Sequence, residues 1–328
     1  MLVPVHYFYV FVNNISNNRP LFIRGSRDFN FYDNMIYRKF FRYFCLLSIL
    51  FIVASSCEKF SGDQSIPAYL TVDSIYITTD YVSEGTASQH ITDAWVYVDD
   101  EFLGAFELPA RFPVLKSGKH TLKVWPGIKK DGIAATRQTY EFYKPVTRQI
   151  TLTPDSTTKA GVLKTTYQST ALFVWKEDFE NVSLTLDTTS GSSAFIQRSS
   201  PGSPLTFEGG HSGMVVLDSA HDFFECETHQ EYVIPSAPVF LEMNFNTTNT
   251  LAIGVFTYGS TTLYQTPVLY LRPTNGLWKK IYIDLSTTLY AYTGMTTYRV
   301  YMSALKETGL AKSLILFDNF KTVTRKSN

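Results

Sequence analysis

The chain has 328 residues, with 29 Lys/Arg balancing 29 Asp/Glu. That length allows two ordinary domains with real cores, and a neutral balance without a basic stripe excludes a nucleic-acid partner. The 25 Phe and 21 Tyr, frequent Thr and Ser, and the lack of long Ala/Leu/Glu/Lys runs predict strands rather than helices.

Arg38, Lys39 and Arg42 form a basic flank, Tyr43 to Val53 is almost wholly apolar, and Ala54-Ser55-Ser56 then leads to Cys57. A basic flank, a short apolar core and small residues describe a cleaved secretory signal, since the run is too short for a comfortable span. Met35 with "IYRKFFRYF" behind it makes an ordinary signal start. Residues 1–34 are therefore read as a misannotated N-terminal extension and 35–56 as the signal peptide.

The signal resembles that of a Bacteroidetes-type bacterial lipoprotein, whose lipobox ends in small residues and a cysteine. The resemblance implies cleavage before Cys57, a diacylglyceryl group on its thiol, and residence in the cell envelope as an outer-membrane lipoprotein, facing the periplasm or the surface. Buried acyl chains anchor at about 0.8 kcal/mol per methylene. Residues 57–65 then read as a tether, and residues 57–328 carry 23 basic and 27 acidic side chains. With Cys57 lipidated only Cys226 remains as a thiol, so the folded part is held by packing and not by an intrachain disulfide.

Residues 66–155 predict a first antiparallel β-sandwich. "AYLTVDSIYITTD" alternates over Leu70, Val72, Ile75 and Ile77 with a slip near Asp73 that suggests a bulge. Asp99-Asp100-Glu101 and Ser117-Gly118-Lys119 are polar turns between short strands, and Leu122 and Val124 alternate against Lys123. The order Gly104, Pro109, Gly118, His120, Val124 resembles PEGA-type immunoglobulin-like modules, which implies a spacer without catalytic groups.

Residues 156–169, rich in Thr and Ser, read as the link to a second domain at 170–325. There Leu241, Met243 and Phe245 oppose Glu242 and Asn244, while Ile281, Ile283 and Leu285 oppose Tyr282 and Asp284, so each strand is expected to have one wet face. The segments "EDFEN", "WKKIYIDL" and "ILFDNFK" resemble the galactose-binding-like jelly roll of many carbohydrate-binding modules. The fold class is therefore all-β, two antiparallel sandwiches, immunoglobulin-like and then jelly roll, after a cleaved signal segment. The resemblance also implies a structural Ca²⁺, and Glu177, Asp178 and Asp318 could supply some of the oxygens that a hard cation takes.

No catalytic constellation is found. "HDFFECETH" offers His221, Cys226 and His229, but without a second cysteine, and 221 and 226 point to opposite faces of a strand. "GGHSGM" lacks the closing glycine of a nucleophile elbow around Ser212, and its glycines read as a turn before "MVVLD". The expected function is a non-enzymatic, lipid-anchored protein whose jelly roll binds glycan or another extracellular ligand. Tyr258, Tyr264, Tyr290 and Tyr292 are the candidate aromatic platforms, and Trp278 is assigned to the core. A structural partner in a surface protein complex is the alternative, and a hydrolase the third class.

Overall fold

The computed structural model describes residues 39–44, 46, 48 and 66–326. The chain forms two units, Met1–Gln64 and Ser65–Asn328. The expectations for residues 1–34, for Cys57 and for the tether lie outside the described residues, and the signal is described only at its few helical positions. Among the described residues no helix is long and apolar enough to cross a membrane.

The second unit is all-β and contains two sandwiches. The first is built from β1 (Ala68–Ile77), β2 (Asp93–Val98), β3 (Glu101–Glu107), β4 (Ala110–Val114), β5 (Gly118–Lys129), β6 (Arg137–Thr139), β7 (Val146–Leu152) and β8 (Thr157–Thr165). One sheet has the order β4-β1-β8. The other runs β3-β2-β5-β6, with β7 also on β5. The slip near Asp73 is a register shift of β1 against β8. Asp99 and Asp100 both have positive φ, 52° and 63°, as a two-residue primed hairpin turn demands.

The expected link is instead strand β8. Tyr69 to Ile77 pair in parallel with Thr157 to Thr165, and Ala160 and Leu163 are buried. Threonine suits a pleated surface, and two modest apolar side chains suffice where the opposite sheet supplies the bulk. The first sandwich therefore ends at Thr165, not at residue 155.

The second sandwich comprises β9 (Ala171–Glu177), β10 (Leu186–Thr188), β11 (Gln197–Arg198), β12 (Gly213–Leu217), β13 (Phe223–Thr228), β14 (Tyr232–Val233), β15 (Phe240–Thr247), β16 (Leu251–Tyr258), β17 (Leu263–Leu271), β18 (Lys279–Asp284), β19 (Thr297–Leu305) and β20 (Ser313–Arg325). Its inner sheet has the order β11-β12-β20-β15-β18 with β9 on β20, and its outer sheet β10-β13-β19-β16-β17 with β14 on β19. Leu241, Met243, Phe245, Val255, Val300, Ile283 and Phe317 fill the space between the sheets.

The expected wet face of the inner sheet is dry. Glu242 (0%), Asn244 (2%) and Tyr282 (1%) are buried, because the first sandwich packs on that face, and Phe240, Tyr282 and Val323 belong to the core of the first sandwich. The two sandwiches are thus one compact unit. The segment between β1 and β2, which carries a single helical turn α1 (Tyr81–Glu84), is strapped across the same sheet. Lys176 and Lys321 donate to the carbonyls of Val82 and Thr86 (2.6 and 2.5 Å). Ser88 Oγ donates to Asn244 (2.7 Å), and the His90 amide donates to the Tyr282 hydroxyl (3.0 Å).

Candidate functional site

Three regions bear on function: the buried junction, the free face of the outer sheet, and a cavity where the two sandwiches meet.

The junction is polar but closed. The Glu242 carboxylate accepts from the hydroxyls of Tyr140 (2.9 Å) and Tyr167 (2.9 and 3.0 Å), and Lys280 Nζ stands 3.4 Å away. Tyr140, Tyr143, Tyr282 and Phe240 meet edge to face, an arrangement that aromatic quadrupoles favour. Register explains the cluster: Glu242 lies opposite Tyr282 on β18 and Lys321 on β20, so all three point to the same face. Burial depresses the Lys280 and Lys321 ammoniums, the latter to about 8, while Glu242 pulls both back up.

The free face of the outer sheet is concave and filled by its own side chains. Gln265 on β17 donates to Glu225 on β13 at 2.7 Å, although three strand spacings separate them, about 14 Å in a flat sheet. Beneath this bridge Tyr301 lies on Gly254, where a Cβ would come 2.5 Å from the ring and from the Thr266 carbonyl. Phe256 packs on Tyr301 at 4.9 Å.

The four candidate tyrosines are not brought together. Tyr258 stands on this concave face, its ring 5.8 Å below the Arg299 guanidinium, which pairs with Glu227 at 2.6 Å. Tyr264 pairs in register with the inward-facing Thr257, so it projects to the other face, where it stacks on Tyr292 at 4.0 Å and 10°. Each of those rings therefore covers one face of the other. Tyr290 is pinned through its hydroxyl to the carbonyls of Pro235 and Ala237 (2.8 and 2.7 Å).

The three carboxylates expected to share a cation are each held by protein donors. Glu177 accepts from the amides of Phe179 and Thr185 and from the Thr185 hydroxyl (2.7–2.8 Å). Asp178 accepts from the Tyr81 hydroxyl and the Glu180 amide. Asp318 accepts from Ser212 Oγ (2.6 Å) and the Asn319 amide (2.8 Å). Asp178 and Asp318 do line one small cavity with Glu180 and Glu208. Yet among the described residues no three His, Cys, Asp or Glu side chains are grouped to hold a metal ion. Burial pushes the Asp318 carboxyl up to about 7, against the pull of Ser212 and Asn319. Ser212 itself is fully buried, and Gly213 opens β12.

The remaining candidates stand in different settings. Cys226 is buried in the core, its thiol pushed up by burial, whereas His221 and His229 are exposed beside Asp218 and Asp187.

A cavity of about 610 Å³ opens beside the junction, within the size range of ligand sites. The strap contributes Ser88, Gln89 and His90, the end of β5 and the turn after it contribute Lys129, Asp131 and Gly132, and the second sandwich contributes Phe207, Asn244, Tyr270, Arg272 and Trp278 to Ile281. Phe207 and Trp278 are half-buried, with centroids 5.2 Å apart and planes inclined at 51°. Trp278 is therefore not a core residue but part of the cavity wall. Burial and the Lys129 charge keep His90 below its usual range, and burial raises Asp131.

No family model matches the chain, and no curated protein matches it. Among solved structures it is similar to the CBM22-2 xylan-binding domain from Paenibacillus barcinonensis Xyn10C, at 14% identity over 46% of this chain and 99% of that one, TM-score 0.34. A carbohydrate-binding module of the β-sandwich superfamily gives 10% identity over 71% of this chain and 85% of that one, TM-score 0.32. TmCBM61, solved with β-1,4-galactotriose, gives 15% over 43% and 87%, TM-score 0.28.

Proposed function

We propose that this is a non-catalytic glycan-binding protein of the cell envelope, tethered through a lipid on Cys57, and that the glycan lies in the cavity beside the junction of the two sandwiches. One observation carries the reading. Trp278 and Phe207 present partly exposed rings at 5.2 Å in a cavity edged by Gln89, His90, Asn244 and Arg272. The C–H face of a sugar packs on such rings, and its hydroxyls need polar side chains around them. The cavity wall holds one carboxylate, Asp131, whereas the common routes of glycoside hydrolysis take two. This supports binding rather than cleavage. The envelope setting rests on the basic flank, apolar run and small residues before Cys57.

A glycan screen of the purified chain tests the reading. A hit whose affinity falls more than about tenfold in Trp278→Ala, with the melting temperature unchanged, supports it. Silence across the screen transfers the preference to a protein partner. Palmitate labelling that vanishes in Cys57→Ala is expected for the tether, and undiminished membrane sedimentation of that variant would refute it.

A further inference from the structure

We infer that the ligand of this cavity is an anionic saccharide, one carrying a uronate carboxylate or a sulfate ester. The inference rests on the glycan reading above and concerns the charge of the sugar. Four of the lining side chains are cationic, Lys129, Arg272, Lys279 and Lys280, against the single carboxylate of Asp131. Among the described residues, no carboxylate comes within ion-pair distance of Arg272 or Lys279, and both are exposed. Lys129 reaches only Glu107, at 3.4 Å, and Glu107 is also bound by Arg137 at 3.0 Å.

The ground beneath the cavity does not cancel this charge. Glu242 is the one carboxylate paired with Lys280, yet it also faces the buried Lys321, which donates to a carbonyl rather than to an acid. A concave site with low-dielectric walls and one sign of charge concentrates the field on its mouth. An exposed arginine without an acidic partner among the described residues, in the same cavity wall as an indole ring, suits a carboxylate or sulfate carried on an apolar sugar face, because its fork can take two oxygens at once. An inorganic anion would leave Trp278 and Phe207 without a role, and a neutral sugar would leave Arg272 and Lys279 without one.

The test uses the full chain and two matched pairs in titration calorimetry: an oligogalacturonate with its carboxyl-reduced counterpart, and a sulfated galacto-oligosaccharide with its desulfated counterpart. The acidic member of at least one pair is expected to bind at least about tenfold tighter than its neutral partner, with the gap narrowing as salt rises. Arg272→Gln combined with Lys279→Gln, both on the surface, is expected to close that gap, the ratio of acidic to neutral affinity and not the neutral affinity itself being the readout; a gap that survives in this variant overturns the charge inference. Equal affinity within both pairs overturns the charge inference and leaves the glycan reading standing. If no member of either pair binds, the charge inference is overturned, and only silence across the whole glycan screen as well makes the glycan reading fail with it.

Discussion

Glu242 is the place where the joining of the two sandwiches can be tested most directly. It is fully buried, accepts from Tyr140 and Tyr167, and compensates Lys280 at 3.4 Å. Glu242→Leu leaves a buried ammonium without an acid and two tyrosine hydroxyls without an acceptor. Breaking a buried pair from one side costs about 3–5 kcal/mol, which in a domain of this size lowers the melting temperature by about 6–20 °C. Replacing both partners, Glu242→Leu with Lys280→Met, removes the Lys280 ammonium and leaves Lys321 on its Thr86 carbonyl, so the double variant should recover part of the loss. A double-mutant cycle in urea should then give a coupling of about 2 kcal/mol or more. Because the network joins the sandwiches, wild type should unfold in one transition. A single variant costing less than about 1 kcal/mol, additive single effects, or two separate wild-type transitions would refute the reasoning.

Two further outcomes follow from the acidic side chains. The folded carboxyl of Asp318 is raised from 3.8 to about 7, so the fold favours its protonated form. That contribution is complete below pH 3.8 and is lost as pH rises through about 7. Across this window Asp318→Asn should gain on wild type by up to about 4 kcal/mol in urea titrations, and a stability difference constant with pH would contradict this. Millimolar Ca²⁺ or a chelator should move the melting temperature by less than about 1 °C, since Glu177, Asp178 and Asp318 are occupied by protein donors. A larger shift, lost in Asp318→Asn, would show that these donors yield to a cation.

The alternation of Leu241, Met243 and Phe245 and of Ile281 and Ile283 identified the strands and their core faces correctly. The same alternation misled about the opposite face. Glu242, Asn244 and Tyr282 look as they would beside water, because a polar side chain satisfied by another polar side chain and one satisfied by solvent have the same letter. Thr157–Thr165 was misread for a different reason. Its partner Tyr69–Ile77 lies about ninety residues earlier, and a parallel pairing leaves no hairpin turn to find. The cavity was invisible as well, since its walls come from residues 88 to 281 and no short motif contains them. The one available signal was Trp278, placed between Leu277 and two lysines in a polar stretch, an odd setting for a core indole.

The polar junction and the cavity are linked by geometry. An apolar contact between two sandwiches tolerates rotation and sliding, because hydrophobic burial has little directionality. Hydrogen bonds from two tyrosines onto one buried carboxylate fix an orientation, since a rotated neighbour would strand a buried charge. The strap adds two anchors, Thr86 through Lys321 and, in the cavity wall, Ser88 through Asn244. Residues 88–90 therefore stand at a set distance from Phe207 and Trp278. For the proposed ligand that fixed relation matters, since each degree of freedom left in the free protein weakens affinity on binding. The buried ionic cluster is then best understood as what holds the cavity open in one shape, even at some cost in stability relative to an apolar junction.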